Sequence, residues 1–131
     1  MPLKPGAFGW AHRTVTPEVT AHAMGHRGVH VFATPFLIGL LEDAAGGVIA
    51  SDLPAGASTV GTMVQVRHLA ATPVGMTVRA QATLLEWDGP RYLFYVEAWD
   101  DTDKVAEGRH ERFVVSDLAR FLERTMKKGA A

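Results

Sequence analysis

The stretch from Thr34 to Ala50, TPFLIGLLEDAAGGVIA, constrains this chain more than any other. Thr34 and Pro35 form a helix start, because a threonine hydroxyl accepts from the orphan amides of a first turn and proline fits there without losing a needed donor. Apolar residues at 36, 37, 38, 40, 41, 44, 45, 48 and 49 leave almost no solvated face, and only Glu42 and Asp43 are charged. That pattern predicts a helix wrapped by other structure rather than one resting on a surface. At ~25 Å it is too short and too charged to span a membrane. Gly39, Gly46 and Gly47 each cost roughly 1 kcal/mol of helix propensity. Three such costs in one helix predict a second backbone passing close by. Asp52 to Gly56 then stop the helix.

The rest of the chain reads mostly as strands. Phe8 to Val15 forms a first strand ended by Pro17, and Glu18 to His30, broken by Gly25 and Gly28, reads as a loop or lid. Ser58 to Leu69 alternates, with Val60, Thr62, Val64, Val66 and His68 on one face and Gly61, Met63, Gln65, Arg67 and Leu69 on the other. Thr77 to Trp87 alternates again, Asp88-Gly89-Pro90 reverses the chain, and Arg91–Asp100 and Val105–Val115 complete a meander. Ser116 caps a short amphipathic helix carrying Leu118, Phe121, Leu122 and Met126.

The resulting order of strand, apolar helix and four strands places the chain in the α+β class. A helix apolar all round must be enclosed. The arrangement that encloses it is a hotdog fold, a five-stranded antiparallel sheet wrapped around one long central helix, with a short C-terminal helix and the open side closed by a second subunit. At 131 residues and 47% hydrophobic, residues 1–131 suffice for a single such domain.

A formal charge of -1 and no basic cluster beyond Lys127 and Lys128 argue against a nucleic-acid partner. The absence of cysteine excludes disulfides, thiolate catalysis and Cys-based metal sites. With no apolar leader in MPLKPGAFGW, the expectation is a soluble, cytoplasmic protein with no membrane partner. His22, His26 and His30 are spaced as metal ligands on a helix would be, but Gly25 and Gly28 undermine that helix and no carboxylate completes the set. No metal is expected.

VFATPFLIGLLEDAA, then STVGTMVQVRHLAATPVGMTV, then GRHERFVV resemble the fluoroacetyl-CoA thioesterase-like branch of the hotdog superfamily, over about Val31 to Val115. In that family a threonine opens the central helix, a glutamate follows eight residues later, Gly-Thr heads the next strand, and a histidine lies seven residues past the glycine. Thr34, Glu42, Gly61 with Thr62, and His68 match in that order. The resemblance implies an acyl-CoA thioesterase acting through Thr34, Glu42 and His68 on a small or short-chain acyl-CoA. It also implies a homodimer or tetramer with sites at the subunit interface, and coenzyme A only as part of the substrate. Pro35, Asp43 and the approach MGHRGVH depart from the fluoroacetyl-specific pattern. These departures touch the acyl group rather than the reaction.

The residues make chemical sense together. Thr34 and Glu42 stand roughly 12 Å apart along a helix and about 80° around it, so they cannot touch, but an imidazole could bridge them. His68 is the candidate. Either His68 takes the threonine proton while Glu42 orients the ring, or Glu42 attacks or activates water while Thr34 and His68 position and protonate. The amide of Gly61 could approach the developing oxyanion, and Arg112 or Arg67 could pair with phosphate or a site carboxylate. Each residue alone has a plainer explanation: Thr34 a cap, Glu42 a seam carboxylate, His68 a structural histidine, Gly61 a bulge, Arg112 a surface ion pair. The aromatics Trp87, Tyr92, Phe94, Tyr95 and Trp99 read as sheet packing. The rival functions are a hotdog enoyl-CoA hydratase or dehydratase and a non-catalytic acyl-CoA or small-molecule binding module.

Overall fold

The computed structural model describes residues 3–130. In chain order it contains β1 (Phe8–Thr14), α1 (Thr34–Ala50), β2 (Ser58–His68), β3 (Thr77–Asp88), β4 (Arg91–Trp99), β5 (Lys104–Val115) and α2 (Leu118–Ala130). The five strands form one antiparallel sheet in the order β1-β3-β4-β5-β2. The sheet curls around α1, as the hotdog expectation requires.

Leu37, Leu41, Ala45 and Ile49 of α1 are fully buried with Val78, Ala80 and Ala82 of β3 and Phe94, Val96 and Ala98 of β4. Each large side chain so buried contributes roughly 1.5–3 kcal/mol. This stripe fixes how α1 lies on the sheet. The opposite side, which the sequence reading assigned to a second subunit, is left open by this chain: Asp43 and Gly47 are exposed, and Gly39 and Gly46 are only half-buried. Among the described residues no backbone passes close to the three helix glycines, because a Cβ at 39, 46 or 47 would meet nothing within 4 Å. The sheet covers only one face, and the bare side of the helix lies between Arg13 of β1 and Arg112 of β5.

Two local readings also change. The register of β2 on β5 shifts between Gly61 and Met63, leaving Thr62 as the extra residue of a bulge. The bulge swaps faces, so Gly61 joins Val64, Val66 and His68 on the helix side instead of opposing them. In addition, Asp117 rather than Ser116 caps α2, since its Oδ1 accepts the Arg120 N–H at 3.0 Å. No residue of α2 is buried, and Leu122 and Met126 of its apolar stripe are exposed.

The 15–33 segment is pinned rather than loose. Val15, Val19, Phe32 and Ala33 are buried, and Thr20 pairs with Phe32 across its neck. Its tip turns through Gly25 (φ 104°) and Gly28 (φ 85°), a left-handed conformation that glycine adopts without strain. Among the described residues no helix is long and apolar enough to cross a membrane.

Candidate active site

Thr34 occupies the first helical position, after Ala33 at the cap, and its hydroxyl makes no capping bond. The plain cap reading therefore fails. The hydroxyl lies 2.8 Å from Nδ1 of His68, which the end of β2 brings over the mouth of the helix. A cleft of about 390 Å³ opens beside the pair, lined by Ala21, Val29, Val31, Ala33, Leu69 and Ala70 among others. Burial in these apolar surroundings lowers the pKa of His68 below the ordinary histidine value, partly offset by the backbone of Ala70. Nε2 of the same ring is buried and has no hydrogen-bond partner among the described residues.

Glu42 is not that partner. Its Oε2 sits 3.2 Å from Nη1 of Arg112 and 4.0 Å from Nε2 of His110. The expected bridge thus exists only in its first half: His68 reaches Thr34, while Glu42 belongs to a second cluster at the other end of β2. The reason is the direction of the elements. α1 and β2 run antiparallel, so Thr34 meets the end of β2 and Glu42 meets its beginning.

Gly61 completes the second cluster by what it lacks. A Cβ there would stand 2.8 Å from Glu42 Oε2 and 3.2 Å from His110 Cε1, so any side chain would displace the carboxylate. Arg112 is held from three sides, donating through Nε to Thr59 Oγ1 at 2.9 Å, through Nη2 to Thr59 O at 3.0 Å, and through Nη1 to Glu42. Of the two partners the sequence offered Arg112, phosphate or a carboxylate, this chain supplies the Glu42 carboxylate. Arg67 instead lies opposite Glu107, by an outer-face cleft away from Glu42.

Thr62 does not join the site. Its hydroxyl donates to Glu111 Oε1 at 2.8 Å, and Glu111 in turn pairs with Arg91, all on the outer face of the sheet. The bulge turns Thr62 away as it turns Gly61 in. His22, His26 and His30 share no helix. His22 accepts the Gly28 N–H at 2.9 Å and its ring packs on His30 at 4.3 Å. Of the aromatics, Tyr92 and Phe94 are core residues.

The sequence reading overlooked His110, which is 1% exposed and central to the Glu42 cluster. Its Nδ1 lies 2.9 Å from the carbonyl of Met63 and its Nε2 lies 3.2 Å from Arg112 Nη1. The available signal was the pair of polar residues at 110 and 112. Spacing of two puts both on the same face of a strand whose neighbours on that face, Ala106 and Gly108, are small.

A family model described as fluoroacetyl-CoA-specific thioesterase matches residues 15–117. The fluoroacetyl-CoA thioesterase of Streptantibioticus cattleyicolor is 40% identical over 101 residues, covering 77% of this chain and 72% of that protein. A solved structure of the fluoroacetyl-CoA thioesterase FlK superposes with a TM-score of 0.92 at 32% identity, covering 98% of both chains. A thioesterase-superfamily protein of Thermus thermophilus superposes with a TM-score of 0.85 at 29% identity, covering 97% of this chain and 95% of that one.

Proposed function

The chain belongs to the fluoroacetyl-CoA-specific thioesterase family, and from that premise we propose that it hydrolyses a small acyl-CoA in a homodimer whose two subunits share each site. The activity class follows from membership: it is an acyl-CoA thioesterase. A mutant FlK has been solved with fluoroacetate and CoA, which supports a CoA thioester as the ligand class. The small acyl group is supported by the modest apolar cleft beside Thr34. Coenzyme A enters as part of the substrate, and the reaction takes place in the cytoplasm.

The observation that carries the proposal is the 2.8 Å contact between Thr34 Oγ1 and His68 Nδ1. With Nδ1 accepting from the hydroxyl, a neutral ring carries its proton on Nε2. As Oγ1 attacks the thioester carbonyl, its proton passes to Nδ1, and the C–S bond breaks as the imidazolium returns that proton to the thiolate. Water, activated by the same imidazole, then cleaves the acyl-threonine to free acid. Gly61 of the partner subunit, unobstructed by a side chain, is the proposed oxyanion donor.

This chemistry gives the buried Nε2–H a need for an acceptor, since an unpaired buried donor costs roughly 1–3 kcal/mol. The chain's own Glu42 is engaged at the other end of β2, beside Gly61 and Arg112, and does not meet this ring. The partner's Glu42 is within reach if β2 pairs antiparallel with its copy. Centring that pairing on Gln65, with Thr62 of each copy as the extra residue of its bulge, sets Gly61 of one subunit opposite His68 of its partner, both on the inward face. Two observations favour it: β2 is an edge strand, and Val64, on the inward face, is still 41% exposed.

Mixing two inactive variants tests the arrangement. A heterodimer of His68→Ala with Glu42→Gln holds one intact shared site, so refolding an equal mixture restores about a quarter of the wild-type rate. No recovery from a verified heterodimer would overturn the shared site. Rapid-quench mass spectrometry is expected to find acyl on the peptide carrying Thr34; acyl on the Glu42 peptide would overturn threonine attack.

A further inference from the structure

We propose that His110 is a positioning residue of the hydrolytic centre, acting as a permanently neutral imidazole that fixes both the guanidinium holding Glu42 and the bulge that presents Gly61. The inference rests on the reading of Glu42 as part of the site.

Hydrogen-bond chemistry assigns the tautomer. The Met63 carbonyl 2.9 Å from Nδ1 can only accept, so Nδ1 bears the proton. The Arg112 guanidinium 3.2 Å from Nε2 can only donate, so Nε2 offers a lone pair. Both ring nitrogens are therefore used, with opposite polarity. A second proton would set an imidazolium against Arg112 with no free acceptor except Glu42, 4.0 Å from Nε2. The charged groups facing the ring are Glu42 from α1 and Arg112 with the more distant Glu111 from β5.

Each bond has a separate consequence. Met63 is the first residue to resume pairing after the bulge, so the Nδ1–H bond anchors the turn that points Gly61 inward. The ring also lies directly beneath Gly61, where its Cε1 would be 3.2 Å from any added Cβ. Nε2 aims Nη1 of Arg112, whose other nitrogens are occupied by Thr59, and Nη1 is the atom that meets Glu42 at 3.2 Å. Without the lone pair, that nitrogen loses the partner that keeps it between ring and carboxylate.

Amide side chains separate the two bonds. Asn at 110 can still donate to Met63 but cannot reach Arg112, whereas Gln places an amide oxygen near Nε2 and can accept from Arg112. The expected result for His110→Asn is a folded dimer with kcat reduced at least ~10-fold and KM changed less than about twofold, as for loss of an aligned catalytic group. His110→Gln recovers part of that loss. A His110→Asn enzyme with wild-type kcat would overturn the proposal, as would Gln performing worse than Asn. Should both variants fail to fold, imidazole ¹⁵N NMR of the wild-type protein decides: a proton on Nδ1 alone at neutral pH is expected, and a doubly protonated ring or the opposite tautomer overturns it. Glu42→Gln serves as the control for the underlying reading. If it retains full activity the role of Glu42 fails, whereas an inactive Glu42→Gln beside a fully active His110→Asn refutes only the inference about His110.

Discussion

The two ends of β2 hold two polar groupings of opposite character. At its end, Thr34 and His68 form one hydrogen bond between uncharged groups beside an apolar cleft, and a ring nitrogen is left over. At its beginning, Glu42 presents one carboxylate oxygen to a guanidinium that is itself tied to Thr59 and His110. The first has a proton that can move and the second has a charge that is held still. The proposed mechanism uses both, a relay to activate the nucleophile and a fixed field where charge develops. The unpartnered ring nitrogen marks the first, and the guanidinium held by Thr59, His110 and Glu42 marks the second.

The largest effect should come from breaking each grouping at its centre. His68→Ala removes the relay and Glu42→Gln removes the fixed charge, and each is expected to lower kcat at least ~100-fold. Steady-state assays of thiol release from a panel of small acyl-CoAs measure this, with oligomeric state checked in parallel. A near-normal rate in either variant would assign that grouping to the scaffold.

Gly61→Ala should come next, with kcat down by about 10- to 100-fold, because the new methyl group stands 2.8 Å from Glu42 Oε2 and moves the carboxylate. A crystal structure of the variant checks the cause: the Glu42 carboxylate is expected to shift while Thr34 and His68 keep their 2.8 Å contact.

This glycine also shows how far sequence reasoning reaches. The bounds of α1 and the reversal at Asp88-Gly89-Pro90 were legible because both are written in local chemistry, as apolar periodicity and turn residues. The bulge was not, since an extra residue in β2 is defined only against its partner β5, and strict alternation put Gly61 on the wrong face. Thr34 looked like a cap because capping is a local role, whereas its real partner lies 34 residues further on. His110 hid inside GRHERFVV because nothing local distinguishes a buried strand histidine from an exposed one. The glycines of α1 had a legible cost but no legible partner: no described backbone of this chain crosses them, and they lie on the side that the sheet leaves bare.

A smaller effect separates the groupings by pH. His68 and His110 both have pKa values lowered by burial, His110 further by Arg112. Relay chemistry needs neutral His68, so kcat/KM is expected to stay flat near neutrality and to fall only below the ordinary histidine value of about 6.5, by up to tenfold per pH unit. Stability follows the same direction. The unfolded chain binds protons that both folded rings refuse, so the contribution is full above about pH 6.5 and is lost as the pH drops below it. Thermal unfolding from pH 8 to 5 checks the second statement, and a midpoint that rises on acidification would contradict it. In His68→Ala the acid loss of stability should shrink but persist, because His110 remains.

The smallest expected effect tests the face assignment itself. Thr62 adjoins Gly61 in sequence, yet its hydroxyl donates to Glu111 at 2.8 Å on the outer side of the sheet, where Arg91 completes the network. Thr62→Val keeps the shape and removes that donor, and Glu111 retains Arg91 as a partner, so neither Glu42 nor His68 should sense the change. The expectation is a kcat/KM within about twofold of wild type. A loss comparable with that of Gly61→Ala would mean that Thr62 faces the substrate in the assembled enzyme. In that case the bulge would have to relax when the second subunit pairs along β2, and the register that places Gly61 against Glu42 would belong to the isolated chain alone.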